Sequence, residues 1–164
     1  MKISSLTVLN TREVKQVREQ LEEQHGFKGE LPFVFLKSNR DRLYVIHRDV
    51  EKVKTEELRI DSMGLYFATQ PFEKNRKENA ELRLSVEGSQ IIGPKATKNI
   101  LEINKEQAKA WFRGEDLEID GKLQGFCLVK HEKDYLGSGK AGSGKLYNYL
   151  PKTRRIIPEH TPNE

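Results

Sequence analysis

Apolar residues recur along this chain first with the period of a helix and then, for most of its length, with the period of strands. Asn10-Thr11-Arg12-Glu13 opens the helical part: Asn10 is a cap, Glu13 is placed to reach back to it, and Val14, Val17 and Leu21 form one narrow stripe. Gly26 is a natural stop. Beyond it, Phe33-Val34-Phe35-Leu36 and Leu43-Tyr44-Val45-Ile46 predict a hairpin joined by the polar residues 37–42. Met63 to Ala68 and Leu82 to Val86 are further strand candidates. Between them the charged run Glu73-Lys74-Asn75-Arg76-Lys77-Glu78-Asn79 reads as a loop.

Gly93-Pro94-Lys95 is the expected boundary, because proline biases its predecessor away from helix. A short strand, Asn99 to Ile103, leads to a second capped helix: Asn104 with Gln107 three residues later, an apolar face of Ala108, Trp111 and Phe112, and Gly114 at its end. Four strand-like stretches follow, Gly125 to Lys130, Asp134 to Leu136, Leu146 to Leu150 and Thr153 to Ile157. Short strands punctuated by Gly and Pro suggest a curled sheet or barrel rather than a doubly wound fold. The expected class is therefore α+β, with a small α+β domain over residues 1–93, a β-barrel over 94–157 and a tail over 158–164.

Composition narrows the classes. A chain of 164 residues can bury roughly 70% of its unfolded surface. No apolar stretch approaches the ~18 residues needed to span a bilayer, and Met1-Lys2-Ile3-Ser4-Ser5-Leu6 lacks the apolar run of an export signal. A single cysteine, Cys127, rules out an internal disulfide, and the expectation is a cytoplasmic protein. The net charge is +4, but its placement is more telling. From Leu136 to Ile157 there are basic residues and no acidic one, a footprint suited to a polyanion.

Several motifs invite chemistry and most decline it. Gly137-Ser138-Gly139-Lys140-Ala141-Gly142 satisfies G-x-G-x-x-G, and Gly139 to Lys145 begins a P-loop, yet Leu146 stands where Ser or Thr must hold magnesium. Tyr147, Tyr149 and Pro151 then follow where a helix is required. Asp116 to Gly121 mimics a calcium loop, but Cys127 occupies the position of the bidentate Glu. Cys127 itself alternates with Phe126 and Leu128, as a small core residue does. No His or Cys spacing suggests a metal site. What remains is a glycine-rich bend carrying Lys140 and Lys145, able to approach a sugar-phosphate backbone, with Tyr135, Tyr147 and Tyr149 interleaved for stacking on unpaired bases.

The strings Gly125-Phe126-Cys127-Leu128-Val129-Lys130, Tyr135-Leu136-Gly137-Ser138-Gly139-Lys140 and Gly144-Lys145-Leu146-Tyr147-Asn148-Tyr149-Leu150-Pro151-Lys152-Thr153-Arg154-Arg155-Ile156 resemble a known family. It is the PUA-like RNA-binding domain at the C-terminus of Sun/Fmu-type ribosomal RNA cytosine-5 methyltransferases. Leu82-Arg83-Leu84-Ser85 and Trp111 to Leu117 look like the run leading into it, so the likeness covers residues 82–157. It implies a PUA-like pseudobarrel that contacts ribosomal or transfer RNA. The methyltransferase's glycine-rich cofactor loop and Pro-Cys motifs have no counterpart upstream, so catalysis and cofactor are not carried over. An α+β domain joined to a PUA-like domain also resembles stand-alone archaeal proteins of RNA modification or ribosome assembly.

The resulting expectation is a non-enzymatic protein binding rRNA or tRNA, in rRNA processing, RNA modification or ribosome biogenesis, with a separate methyltransferase or ribosome-assembly protein as a candidate partner. Lys130, Lys140, Lys145, Lys152, Arg154 and Arg155 are expected to neutralise phosphates. The amides of Gly137, Gly139, Gly142 and Gly144 would allow close approach, with Tyr147 stacking and Asn148 bonding a base or sugar. The competing class is a protein-interaction module whose basic face docks an acidic partner.

Overall fold

The structure, a computed structural model, describes residues 6–54, 62–70 and 81–157. The first half begins with β1 (Leu6–Val8), α1 (Thr11–His25), β2 (Phe33–Ser38), β3 (Arg42–His47), β4 (Leu65–Thr69) and β5 (Arg83–Leu84). Its five strands form an antiparallel meander in the order β1-β2-β3-β4-β5. After α2 (Val86–Ile92) come β6 (Ile100–Glu102), α3 (Lys105–Phe112), β7 (Leu117–Glu118), β8 (Gly125–His131), β9 (Asp134–Gly142) and β10 (Lys145–Asn148). These strands build a second sheet, β6-β8-β9-β10-β7, in which only the β6–β8 pair is parallel. The class is α+β.

Local chemistry explains most of these elements. Both longer helices start in a full capping box: Asn10 accepts from the Glu13 amide while Glu13 accepts from the Asn10 amide, and Asn104 and Gln107 do the same. Gly26 closes α1 in the left-handed conformation, φ 63°, with its amide bonded back to Glu22. The apolar stripe of α1 buries Val17 and Leu21 against the first sheet.

Three expectations need correction. The run Leu82 to Val86 is not one strand. Only Arg83 and Leu84 pair with β4, after which the Ser85 hydroxyl accepts from the Gly88 amide and starts α2. The glycine-rich stretch is not a bend. Gly137 to Gly142 continue β9 through the middle of the second sheet, and the turn falls later, at Ser143 and Gly144, both at positive φ. Two consecutive left-handed residues suit a tight two-residue hairpin. Finally, Thr153 to Ile157 form no strand; Lys152–Arg154 make a 3-10 turn. The charged run Glu73 to Asn79 and the tail 158–164 lie outside the described residues.

Glycine suits β9 because the second sheet is crowded there. A Cβ on Gly139 would lie 2.6 Å from Leu146 Cγ and 2.8 Å from the Tyr147 carbonyl oxygen. Two apolar cores flank the β8–β9 pair. The first gathers α1, the first sheet, Ile92, Leu128 and Tyr135; the second gathers Trp111, Cys127, Val129, Leu146 and Leu150. Helix α2 lies between them. It packs on β4 and β9, with Gly88 against the Phe67 carbonyl and Ser89 Oγ accepting from the Gly137 amide.

Candidate nucleic-acid interface

Strand register decides which side chains share the open face of the second sheet. Phe126 on β8 pairs with Lys140 on β9, and Lys140 pairs with Tyr147 on β10, so the three form a row across adjacent strands. Their alternation partners Cys127 and Leu146 point the other way, into the second core. Lys140 Nζ stands 5.3 Å from the Phe126 ring centroid. Just beyond β10, Tyr149 meets Phe126 edge-on at 5.4 Å, and the Arg83 guanidinium of β5 lies 4.9 Å from the centroid of Tyr149. Tyr147 and Tyr149 remain 41% and 40% exposed, enough for each ring to meet a ligand.

The row therefore reaches the seam between the sheets. A cleft of ≈ 50 Å³ there is lined by Tyr66, Arg83, Ser85, Tyr149 and Pro151 among others. Arg83 also donates to Thr69 Oγ1, which shares a hydrogen bond with the Tyr66 hydroxyl, and Arg42 stands 5.5 Å from the Tyr66 ring. Aromatic and cationic groups thus alternate from the second sheet onto the first.

The residues expected to bind divide into three groups. Lys140, Gly142, Gly144, Lys145 and Tyr147 come together around the β9–β10 hairpin. A Cβ on Gly142 would sit 3.5 Å from Tyr147 Cε2, an ordinary contact that leaves room for a side chain. Gly144 is exposed, and nothing lies within 4 Å of a Cβ placed on it. The second group holds the fold instead. Gly137 and Gly139 are buried in the ladder, the Gly137 amide being taken by Ser89. Asn148 donates through Nδ2 to the carbonyls of Trp111 and Glu115 and accepts the Leu150 amide at Oδ1. Both of its amide hydrogens are used, so its Nδ2 is committed to the fold and not to a base or sugar.

The third group lies away from the hairpin. Lys130 sits at the far end of β8, about 13 Å from Phe126 along the strand, with its ammonium 6.0 Å from the Tyr135 ring centroid. Tyr135 itself is buried against the first core. Arg154 is hydrogen-bonded to the Glu87 carboxylate, and Arg155 donates to the Leu150 carbonyl. Lys152 is exposed on the 3-10 turn. The cationic field is further reduced by Glu81, 3.8 Å from Lys140 Nζ.

Residues 98–156 match the family model of the methyltransferase RsmF PUA domain. This part of the chain is a PUA-like domain. It resembles the C-terminal domain of Sun/Fmu-type enzymes, as its glycine and basic segments imply, and a PUA domain of this type points to RNA binding in RNA modification, with RNA as partner. The search of curated proteins found no match to the chain.

Sequence reasoning missed Arg83, Phe126 and Tyr66. Arg83 was legible: between buried Leu82 and Leu84 it must face outward. Phe126 was not, because a Phe two places before Leu128 looks like core, and only the pairing with Lys140 shows that the face opens there. Cys127 is fully buried, and burial, reinforced by Glu81, pushes its thiol up to about 11, so it is held as a neutral thiol. No group of three His, Cys, Asp or Glu residues able to hold a metal occurs among the described residues, nor any helix long and apolar enough to cross a membrane.

Proposed function

We propose that the protein is a non-catalytic, cytoplasmic RNA-binding factor that engages ribosomal or transfer RNA through its PUA-like domain, in RNA modification or ribosome biogenesis. The match over residues 98–156 carries this reading. The open face around Lys140, Lys145 and Tyr147 supports it, as a cationic and aromatic surface of the kind that receives nucleic acid. The buried Cys127, its thiol pushed up to about 11, is not a nucleophile in this reading. A separate methyltransferase or assembly factor would then perform the chemistry on the bound RNA.

The test is binding of the full chain to purified ribosomal RNA and transfer RNA by anisotropy across a salt series. Binding that weakens with salt, and weakens further in Lys140→Ala/Lys145→Ala, is expected. Protein that purifies free of nucleic acid and shifts neither RNA at low salt would overturn the reading.

A further inference from the structure

The alternation of rings and cations does not stop at the PUA-like domain, and that continuity carries an inference about the form of the ligand. On the second sheet the sequence of neighbours is Tyr147, Lys140, Phe126 and Tyr149. Arg83 then continues it onto the first sheet, its guanidinium facing the Tyr149 ring while Thr69 links it to Tyr66. Tyr66 in turn lies 5.8 Å from Tyr44, centroid to centroid. Two half-exposed tyrosines and a guanidinium held over a ring are surfaces on which a base can lie flat. A paired base offers only its edge, so such surfaces are used fully by unpaired nucleotides.

Charge supports the same choice. Glu81 stands beside Lys140 within the band and Glu87 takes up Arg154 outside it, which leaves a site poorer in positive charge than a duplex-phosphate binder requires. Lys145, the next cation on the hairpin, lies opposite Glu118 of β7 with no ion pair formed between them, and stands beside Tyr147 on the same strand face, where a phosphate could compete for it.

We propose that this band binds a single-stranded stretch of RNA laid across the seam, with bases stacked on Tyr147 and on the Arg83–Tyr149 pair. The binding site is then composite: the PUA-like sheet supplies most of it and β5 of the first sheet completes it. The proposal rests on the RNA-binding reading above.

The probe is a fluorescein-labelled oligoadenylate of about ten nucleotides, compared with a duplex of the same length and with folded transfer RNA. The full chain should prefer the single strand to the duplex. Tyr147→Leu should weaken single-strand binding about tenfold, whereas Tyr147→Phe, which keeps the ring, should bind as the parent does. Arg83→Lys keeps the charge but not the plane, and should also lose about tenfold. Thermal unfolding of each variant fixes the folded fraction, and Tyr149→Leu provides an independent second probe of the band. Equal affinity for duplex and single strand, or binding indifferent to all three non-conservative changes, would overturn the composite site while leaving RNA binding intact. Displacement of the oligonucleotide by poly-glutamate as effectively as by unlabelled oligoadenylate would also overturn it, in favour of an acidic protein partner. Loss of all RNA binding by the parent chain would remove both readings.

Discussion

Asn148 offers the sharpest separation between holding the fold and holding a ligand. Its side chain makes three hydrogen bonds, donated to the Trp111 and Glu115 carbonyls and accepted from the Leu150 amide, and so ties the end of α3, β10 and the segment after it together. At about 1 kcal/mol net for each bond, with some relief from water at the exposed side, Asn148→Ala should cost about 2–3 kcal/mol. For a chain of this size that lowers the melting temperature by about 5–10 °C. Asn148→Asp should be worse at neutral pH, because a carboxylate oxygen would face two carbonyl oxygens. Its folded-state pKa would therefore be raised, and the variant should recover stability relative to the parent at the same pH as pH falls towards the ordinary carboxylate value. Urea titration at pH 7 and pH 4 measures both effects, and anisotropy on the folded fraction should give RNA affinity unchanged within twofold. An Asn148→Ala protein as stable as the parent but tenfold weaker for RNA would refute the structural assignment.

Other outcomes follow from the same geometry. With Lys140 beside Glu81 and Arg154 bound to Glu87, few cations remain free, so single-strand binding should show a log–log salt slope of roughly −1.5 to −2, not the −3.5 expected if five phosphates were engaged. His25 is buried and held down to about 4 from an ordinary 6.5, mainly by desolvation, so the unfolded chain takes up its proton first. Stability should be full above pH 6.5 and fall by about 3 kcal/mol as pH drops towards 4, a component that urea titrations of His25→Leu should lack. Gly139→Ala should destabilise by about 1–3 kcal/mol through its clash with Leu146 and the Tyr147 carbonyl, whereas Gly144→Ala, with open space around it, should cost about 1 kcal/mol of backbone strain, both read by urea titration. Cys127 should resist iodoacetamide at pH 8 until the protein is unfolded, which mass spectrometry would read directly.

Helix ends and the hairpin of the first sheet were legible because their signals are local. Asn10 with Glu13 and Asn104 with Gln107 carry their caps within one turn, and Phe33 to Ile46 alternates around a polar turn. Helix α2 was hidden because Leu82-Arg83-Leu84-Ser85-Val86 alternates like a strand, while the deciding bond, Ser85 to Gly88, lasts one turn and is stabilised by packing on β4 and β9. The glycines of β9 were misread for a related reason. Glycine is a poor strand former on its own, and its presence here answers to neighbours that approach across the sheet, Leu146 and the Tyr147 backbone, which no local pattern reveals. At the interface, Lys140, Lys145 and Tyr147 could be named from charge and spacing. Arg83 could not be joined to them, because their meeting depends on how two sheets separated in sequence are set against each other.

Strand β8 has a consequence for how this molecule comes apart. Its consecutive residues serve different interiors: Cys127 and Val129 are committed to the side of Trp111, while Leu128 is committed to the side of Phe35 and Phe67. Pulling either half away strips one flank of the same ribbon, so neither is a bead that can be cut from a string. Melting should accordingly run as one event, with calorimetric and van't Hoff enthalpies equal, and a fragment beginning near residue 94 should be sticky and poorly soluble instead of a free-standing module.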